Sequence, residues 1–191
     1  MTFARFVIIR RKTIRTRAKN NRTSNNVIYE KIIVIGCSGS GKTTFSERLR
    51  DKSGLPLYYL DAIWHRPDKT HISRDEFDGI LGEILARDAW IIDGNYSRTM
   101  ERRMAACDTV ILFDLPTEVC LDGITARIGT KRPDIPWIDT ELDPILKTQT
   151  EEFKSKSLPD IYRLIDKYKD GKNIVIFKSR QETDDFLWLV D

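Results

Sequence analysis

The sequence predicts an α/β fold in which helices cover both faces of a parallel sheet, and two observations carry that expectation. Five short apolar runs, rich in Val, Ile, Leu and aromatic residues, are near-continuous rather than alternating, and helical sequence separates each from the next. The first run leads directly into a glycine-rich turn, Gly36-Cys37-Ser38-Gly39-Ser40-Gly41-Lys42-Thr43, and a helical pattern follows. At 191 residues the chain suits one domain better than two.

Strands are expected at 31–35, 57–60, 89–92, 109–113 and 173–177. A helix should open at Lys42, immediately after the glycine-rich turn. Ser73-Arg74-Asp75-Glu76 reads as a capping box, with Ser73 accepting from the N–H of Glu76 while Glu76 reaches back. Behind it Phe77, Ile80, Leu81, Ile84 and Leu85 form one apolar stripe. Ser157-Leu158-Pro159-Asp160 should open another helix with Ile161, Leu164, Ile165 and Tyr168 on one face, ended by Gly171. Ser179-Arg180-Gln181-Glu182 repeats the capping box before Phe186, Leu187 and Val190.

Charge is unevenly placed. The net charge is +3, but Arg5, Arg10, Arg11, Lys12, Arg15, Arg17, Lys19 and Arg22 crowd the first thirty residues with Glu30 as the single acid. The remainder is therefore mildly acidic, which argues against a nucleic-acid-binding face on the domain. Residues 1–26 read as a basic, disordered extension ahead of a domain at 27–191. Their Arg-rich, acid-free makeup fits a transit peptide or a basic arm, and equally a start-site artefact with the true start near Val27. No apolar run approaches the roughly 18 residues a membrane span needs. Cys37, Cys107 and Cys120 are odd in number and widely spaced, and His65 and His71 are too few for a His-based metal site. The cysteine pattern suits a reducing cytoplasm.

The turn at 36–43 matches GxxxxGK[ST], and its chemistry explains the spacing. Glycines let the backbone wrap closely around phosphates, with successive N–H groups pointing inward. The helix opening at Lys42 aims its positive end at the same point. Lys42 supplies a mobile charge to the β- and γ-phosphates, and the Thr43 hydroxyl can ligate Mg²⁺. ATP with Mg²⁺ is the expected cofactor, with Cys37 a small filler in the loop. Further on, Trp90-Ile91-Ile92-Asp93-Gly94-Asn95-Tyr96-Ser97-Arg98 places an acid at a strand end and an arginine beyond a turn. Asp93 suits a Mg²⁺ shell or, equally, a turn cap. Arg98 suits a bidentate grip on phosphate.

Gly39-Ser40-Gly41-Lys42-Thr43-Thr44, residues 90–96 and the stretch after Arg127 resemble adenylate kinase and its small-kinase relatives. More closely, residues 31–191 resemble the group called DNA topology modulation proteins. Their marks stand here as Leu60-Asp61-Ala62-Ile63-Trp64-His65-Arg66-Pro67, Ile92-Asp93-Gly94-Asn95-Tyr96, Arg127-Ile128-Gly129-Thr130-Lys131-Arg132-Pro133 and Phe177-Lys178-Ser179-Arg180. The resemblance implies a three-layer P-loop NTPase fold of the adenylate-kinase type, with a five-stranded parallel sheet of order 2-3-1-4-5. It also implies an acceptor-binding region at about 61–88 and a short, arginine-bearing lid at about 125–143.

Carried over by position, Gly36, Gly39, Ser40, Gly41, Lys42, Thr43, Thr44 and Arg127 would bind ATP. Arg127 resembles the lid arginine, with Lys131 or Arg132 as its second cation; for Arg132 a solvated helix face is the competing reading. Arg98 resembles the arginine that meets the acceptor's phosphate, although it stands one residue further from Asp93 than in adenylate kinase. Asp61 resembles an acid that binds the acceptor hydroxyl and takes its proton. Trp64 either stacks on an acceptor ring or fills the core. Lys42, Arg127, Arg132 and Asp61 are thus the candidate catalytic residues, Asp61, Trp64 and Arg98 the acceptor residues, and Thr43 and Asp93 the metal ligands. The expected activity is transfer of the γ-phosphoryl of ATP to a small acceptor, such as a nucleotide or nucleoside. The alternative from another class is a nucleotide-binding regulator with slow ATPase activity that affects DNA topology indirectly.

Overall fold

Five parallel strands share one hydrogen-bonded sheet. The computed structural model describes residues 29–188, and its strands are β1 (Lys31–Gly36), β2 (Leu57–Tyr59), β3 (Trp90–Asp93), β4 (Thr109–Phe113) and β5 (Asn173–Phe177). They lie in the order β2-β3-β1-β4-β5, every pairing parallel. The expectations for residues 1–26 and for Val190 fall outside the described residues. β1 sits between β3 and β4, with Val34 opposite Asp93 on one side and Gly36 opposite Phe113 on the other. That central strand is buried on both faces, which is why its sequence is continuously apolar. The order reverses around β1, so the chain leaving it enters the crevice where ligands bind in open α/β sheets.

The helices are α1 (Lys42–Ser53), α2 (Leu60–Trp64), α3 (Arg74–Leu85), α4 (Ser97–Ala106), α5 (Thr117–Ala126), α6 (Pro144–Glu152), α7 (Leu158–Tyr168) and α8 (Arg180–Leu187). α1 packs on β1 and β3 and against α8, while α4 packs on β1 and against α7. Phe45 of α1 meets Phe113 and Phe177 edge-on at 5.4 Å each, joining the helix to β4 and β5. Among the described residues no helix is long and apolar enough to cross a membrane.

Several boundaries differ from the sequence reading. Leu60 opens α2 rather than ending β2, and β3 begins at Trp90 and runs through Asp93. Ser157 is not a helix cap. It has helical angles and ends a π-helical turn, Phe153–Ser157, that carries α6 into α7 without a break. Pro159 has no N–H and its ring crowds the carbonyl four residues back, which is Ser155, so the widened turn lies where the helix would otherwise break. The two other caps are made. Ser73 accepts from the Glu76 N–H at 3.1 Å, but the Glu76 carboxylate lies 3.7 Å from Arg66 rather than returning to Ser73. Ser179 accepts from the Glu182 N–H, and the Glu182 carboxylate accepts from the N–H of Lys178, one residue before the cap.

Candidate functional site

A cavity of about 880 Å³ opens at the carboxyl ends of β1 and β3. Its wall includes the loop from Ser38 to Thr44, Tyr59 at the end of β2, Asp61 in α2, Asp93 at the end of β3 with Gly94 to Tyr96 behind it, residues 130–134, Arg127 and Arg180.

The loop has its shape because two of its glycines have no room for a side chain. A Cβ on Gly36 would stand 2.5 Å from the Phe113 carbonyl oxygen, and one on Gly39 would stand 2.1 Å from that of Cys120. Both also have positive φ, at 143° and 76°. Gly41 is the N-cap of α1 and offers no side-chain acceptor, so the first N–H groups of that helix are left for an anion. Lys42 Nζ donates to the Cys37 carbonyl at 2.7 Å. Burial lowers the pKa of Lys42, and the charge of Asp93 is the largest opposing influence. Ser40 is fully buried and its hydroxyl has no protein partner; Thr44 is exposed on the cavity wall. Cys37 is buried, its thiol 3.7 Å from the Thr150 carbonyl.

Asn95, given no role by the sequence reading, clamps the loop's entry. Its Oδ1 accepts from Gly36 N at 2.9 Å and its Nδ2 donates to Gly36 O at 2.6 Å. Asn95→Ala should cost about 1–3 kcal/mol in a urea titration, since both Gly36 groups lose partners. Asn95→Asp, which keeps only the acceptor, should fall between.

Two carboxylates, Asp93 at the end of β3 and Asp61 in α2, line the same cavity with different surroundings. Asp93 is 4% exposed, and its Oδ1 has no hydrogen-bond partner. Burial raises its pKa to about 7, against the pull of Lys42 and of a hydrogen bond from Thr43. Between the ordinary 3.8 and about 7 the folded chain holds a proton that the unfolded chain releases. Stability from this group therefore falls as pH rises across that window and is level above it, by up to about 4 kcal/mol. Urea midpoints measured without nucleotide from pH 4 to 8 should show this slope, and Asp93→Asn should remove it.

Asp61 is held differently. Tyr96 Oη donates to Asp61 Oδ1 at 2.9 Å. Tyr96 itself has φ +34°, an uncommon conformation for a bulky residue. Its ring stacks on Phe77 at 5.2 Å, and Arg103, fully buried in α4, donates to the carbonyls of Gly94, Asn95 and Tyr96. The turn after β3 is thus fixed from below by one guanidinium, whose pKa burial lowers to about 9. Tyr59 Oη, buried in the cavity wall and without a partner, is a further polar atom that the sequence reading passed over.

After α5 ends at Ala126, residues 127–143 have no regular secondary structure, and Arg127 and residues 130–134 line the cavity. Arg127 is half-buried there, its pKa lowered by burial and then by Arg132. Arg132 is not on a solvated helix face. Its Nε donates to Asp134 Oδ1 at 3.0 Å and its Nη2 to Asp134 Oδ2 at 2.5 Å, and Asp139 lies 3.6 Å away. Lys131 is exposed on the wall. Arg180 Nη2 donates to the carbonyls of Gly39 and Val119.

Two expected acceptor residues stand outside the cavity wall. Arg98, in the first turn of α4, is paired bidentately with Asp78 of α3 at 2.7 Å on both sides. A carboxylate one helix away satisfies its fork, so the geometry gives it no acceptor phosphate to meet. Trp64 is stacked on His71 at 4.4 Å and meets Phe77 edge-on at 5.6 Å, so one of its faces is taken by packing within residues 64–77. His65 and His71 pair as a short bridge that closes the intervening loop. Among the described residues no group of three or more His, Cys, Asp and Glu side chains is placed to hold a metal by itself.

No family model matches this chain, and no curated protein matches it. Solved structures do. The shikimate kinase of Acinetobacter baumannii in complex with shikimate is 16% identical with a TM-score of 0.55, over 85% of this chain and 93% of that one. The shikimate kinase of Bacteroides thetaiotaomicron is 15% identical with a TM-score of 0.50, over 82% and 93%. A gluconokinase from Sinorhizobium meliloti 1021 is 17% identical with a TM-score of 0.49, over 84% and 89%. At these identities the likeness is one of fold, and that fold is the P-loop, adenylate-kinase-like one. The resemblance to DNA topology modulation proteins rests on the sequence motifs alone.

Proposed function

We propose that the chain is a P-loop kinase that transfers the γ-phosphoryl of ATP to a hydroxyl of a small acceptor. One observation carries this reading: a single cavity holds Lys42, a buried carboxylate with an unpartnered oxygen beside the phosphate loop, and a second carboxylate one strand further out. A simple ATPase has no use for the second acid.

The residues fit a divalent cation. Asp93 Oδ1 is buried without a partner, the Thr43 hydroxyl is beside it, and Mg²⁺ is commonly held by one or two carboxylates plus phosphates. When bound, Mg²⁺ would neutralise charge on the β- and γ-phosphates. The backbone of residues 36–43 and the start of α1 would cradle the phosphates, with Ser40 and Thr44 at the same loop. Lys42 would leave the Cys37 carbonyl for the transferring group, and Arg127 and Arg132 would meet charge that develops on it. Tyr96 fixes Asp61 Oδ1, so Asp61 Oδ2 would take the acceptor's proton as the oxygen attacks phosphorus and ADP departs.

A nucleoside or nucleotide remains our proposed acceptor. The pairing of Arg98 with Asp78 favours the neutral nucleoside, because it removes the expected phosphate-binding guanidinium from the site. The test is ATP consumption with product mass spectrometry over a panel of nucleosides, nucleoside monophosphates, sugars and hydroxy acids. A phosphorylated product is expected. If no panel member raises turnover above the basal rate, the kinase reading gives way to a nucleotide-binding regulator.

A further inference from the structure

The lid brings a third acid to the phosphate loop. Asp134 is 3% exposed, although it lies in a segment without regular secondary structure. Its Oδ2 lies 3.4 Å from Thr43 Oγ1, a long hydrogen bond across 91 residues of sequence. The same carboxylate takes both Nε and Nη2 of Arg132. Asp93, with its buried Oδ1 unpartnered, lines the same cavity and feels the charge of Asp134.

These contacts are hard to explain as a salt bridge alone. An Arg–Asp pair two residues apart in a loop is worth only about 0–1 kcal/mol at the surface, and burying it adds a desolvation cost that the pair alone does not recover. Here the pair is instead inserted into the cavity, against the hydroxyl that the proposed function assigns to Mg²⁺. Mg²⁺ takes oxygen ligands at 2.0–2.1 Å in octahedral geometry, which sets neighbouring ligand oxygens roughly 2.9 Å apart. The Thr43–Asp134 separation of 3.4 Å is close to that spacing. An acid placed there solely to hold an arginine would add repulsion beside Asp93; a cation between the two acids turns that repulsion into attraction.

Resting on the kinase reading, we propose that Asp134 belongs to the magnesium shell, delivered by the lid, so that metal occupancy and the position of Arg132 are coupled. The lid is then a metal-dependent device as well as a carrier of arginines. With the cation present, Asp134 is held at the loop and Arg132 with it; without the cation, facing carboxylates disfavour the same closure.

The experiment is calorimetric titration of the full chain with the non-hydrolysable analogue AMP-PNP at a series of Mg²⁺ concentrations. Asp134→Asn should raise the Mg²⁺ concentration at half-effect by about 10-fold or more, as losing a metal-site partner does. Binding without Mg²⁺ should change by less than about twofold, or improve, because a repelling charge has gone. Arg132→Gln should leave the Mg²⁺ midpoint in place, since it keeps the carboxylate. Asp134→Cys, a second route that retains an ionisable ligand, should shift preference from Mg²⁺ towards the softer Cd²⁺ by about 10-fold relative to wild type. An unchanged midpoint in Asp134→Asn overturns the inference alone, as does an equal shift in Arg132→Gln, which would make Asp134 only an anchor for the arginine. If wild-type binding ignores Mg²⁺ altogether, the inference and the metal-dependent kinase reading fall together.

Discussion

Lys42→Met should reduce ATP turnover by about 10²–10³ or more while leaving the fold intact. The ammonium lies on the cavity wall within the phosphate loop, and it rests on the Cys37 carbonyl, a partner it can leave at little cost. Arg132 is paired with Asp134 and Arg180 with the carbonyls of Gly39 and Val119, so neither takes over its place in the loop. Stability should behave differently. Burial already lowers the Lys42 pKa, so the protein spends free energy to keep that charge in place. Methionine fills a similar volume without a charge, and exchanging buried ions for apolar groups is often neutral or stabilising. Asp93, whose pKa already stands at about 7, can take up a proton when its counter-charge is gone. The measurement is steady-state ATP consumption beside a urea titration. Wild-type turnover in a folded Lys42→Met chain would remove the nucleotide-site assignment.

The phosphate loop and the strands were legible because their physics is local or periodic. A strand buried on both faces must be apolar throughout, as Ile32 to Ile35 are. A loop that wraps phosphate needs glycines at fixed steps, and Gly36 and Gly39 show why no other residue fits there. The resemblance to adenylate kinase also gave the sheet order, which periodicity alone does not determine. What stayed hidden depends on contacts between distant segments. Arg98 carried the right side chain at nearly the right spacing, but a carboxylate on α3 claims it. Trp64 suited either a stacking platform or the core, and only the fold shows His71, seven residues on, covering one of its faces. Asp134 sits among residues 127–143, whose sequence carries no helical or strand period; its proximity to Thr43 is a contact across 91 residues of sequence, not a local pattern. Asn95 and Arg180 were visible as family marks. Their work, holding Gly36 and donating to the Gly39 carbonyl, needed coordinates.

Asp61→Asn and Asp93→Asn should separate a kinase from a regulator that merely hydrolyses ATP. Asp93 ends β3 and Asp61 lies in α2 just past the end of β2, and only Asp93 lies beside β1 and the phosphate loop, in register with Val34. It is the buried acid with an unpartnered oxygen, and a metal-dependent step of any kind should require it. Asp93→Asn is therefore expected to lower basal ATP hydrolysis and acceptor phosphorylation together, by about 10² or more. Asp61 is one strand further out and is tied to Tyr96 rather than to Lys42 or Thr43. Its removal should spare basal hydrolysis within about twofold and lower acceptor phosphorylation by about 10²–10⁴, the usual range for a general base. Tyr96→Phe supplies the intermediate case: it keeps the carboxylate and loses only the hydrogen bond that orients it, so a smaller loss confined to the acceptor reaction is expected. The measurement is ATP consumption by each variant, with and without the best acceptor found in the panel. A regulator has no acceptor step, and in it Asp61→Asn should match wild type under both conditions. Full acceptor phosphorylation by Asp61→Asn would instead leave the kinase standing and move the proton to another group, for which Tyr59, with its buried and unpartnered hydroxyl on the same wall, is the next residue to replace.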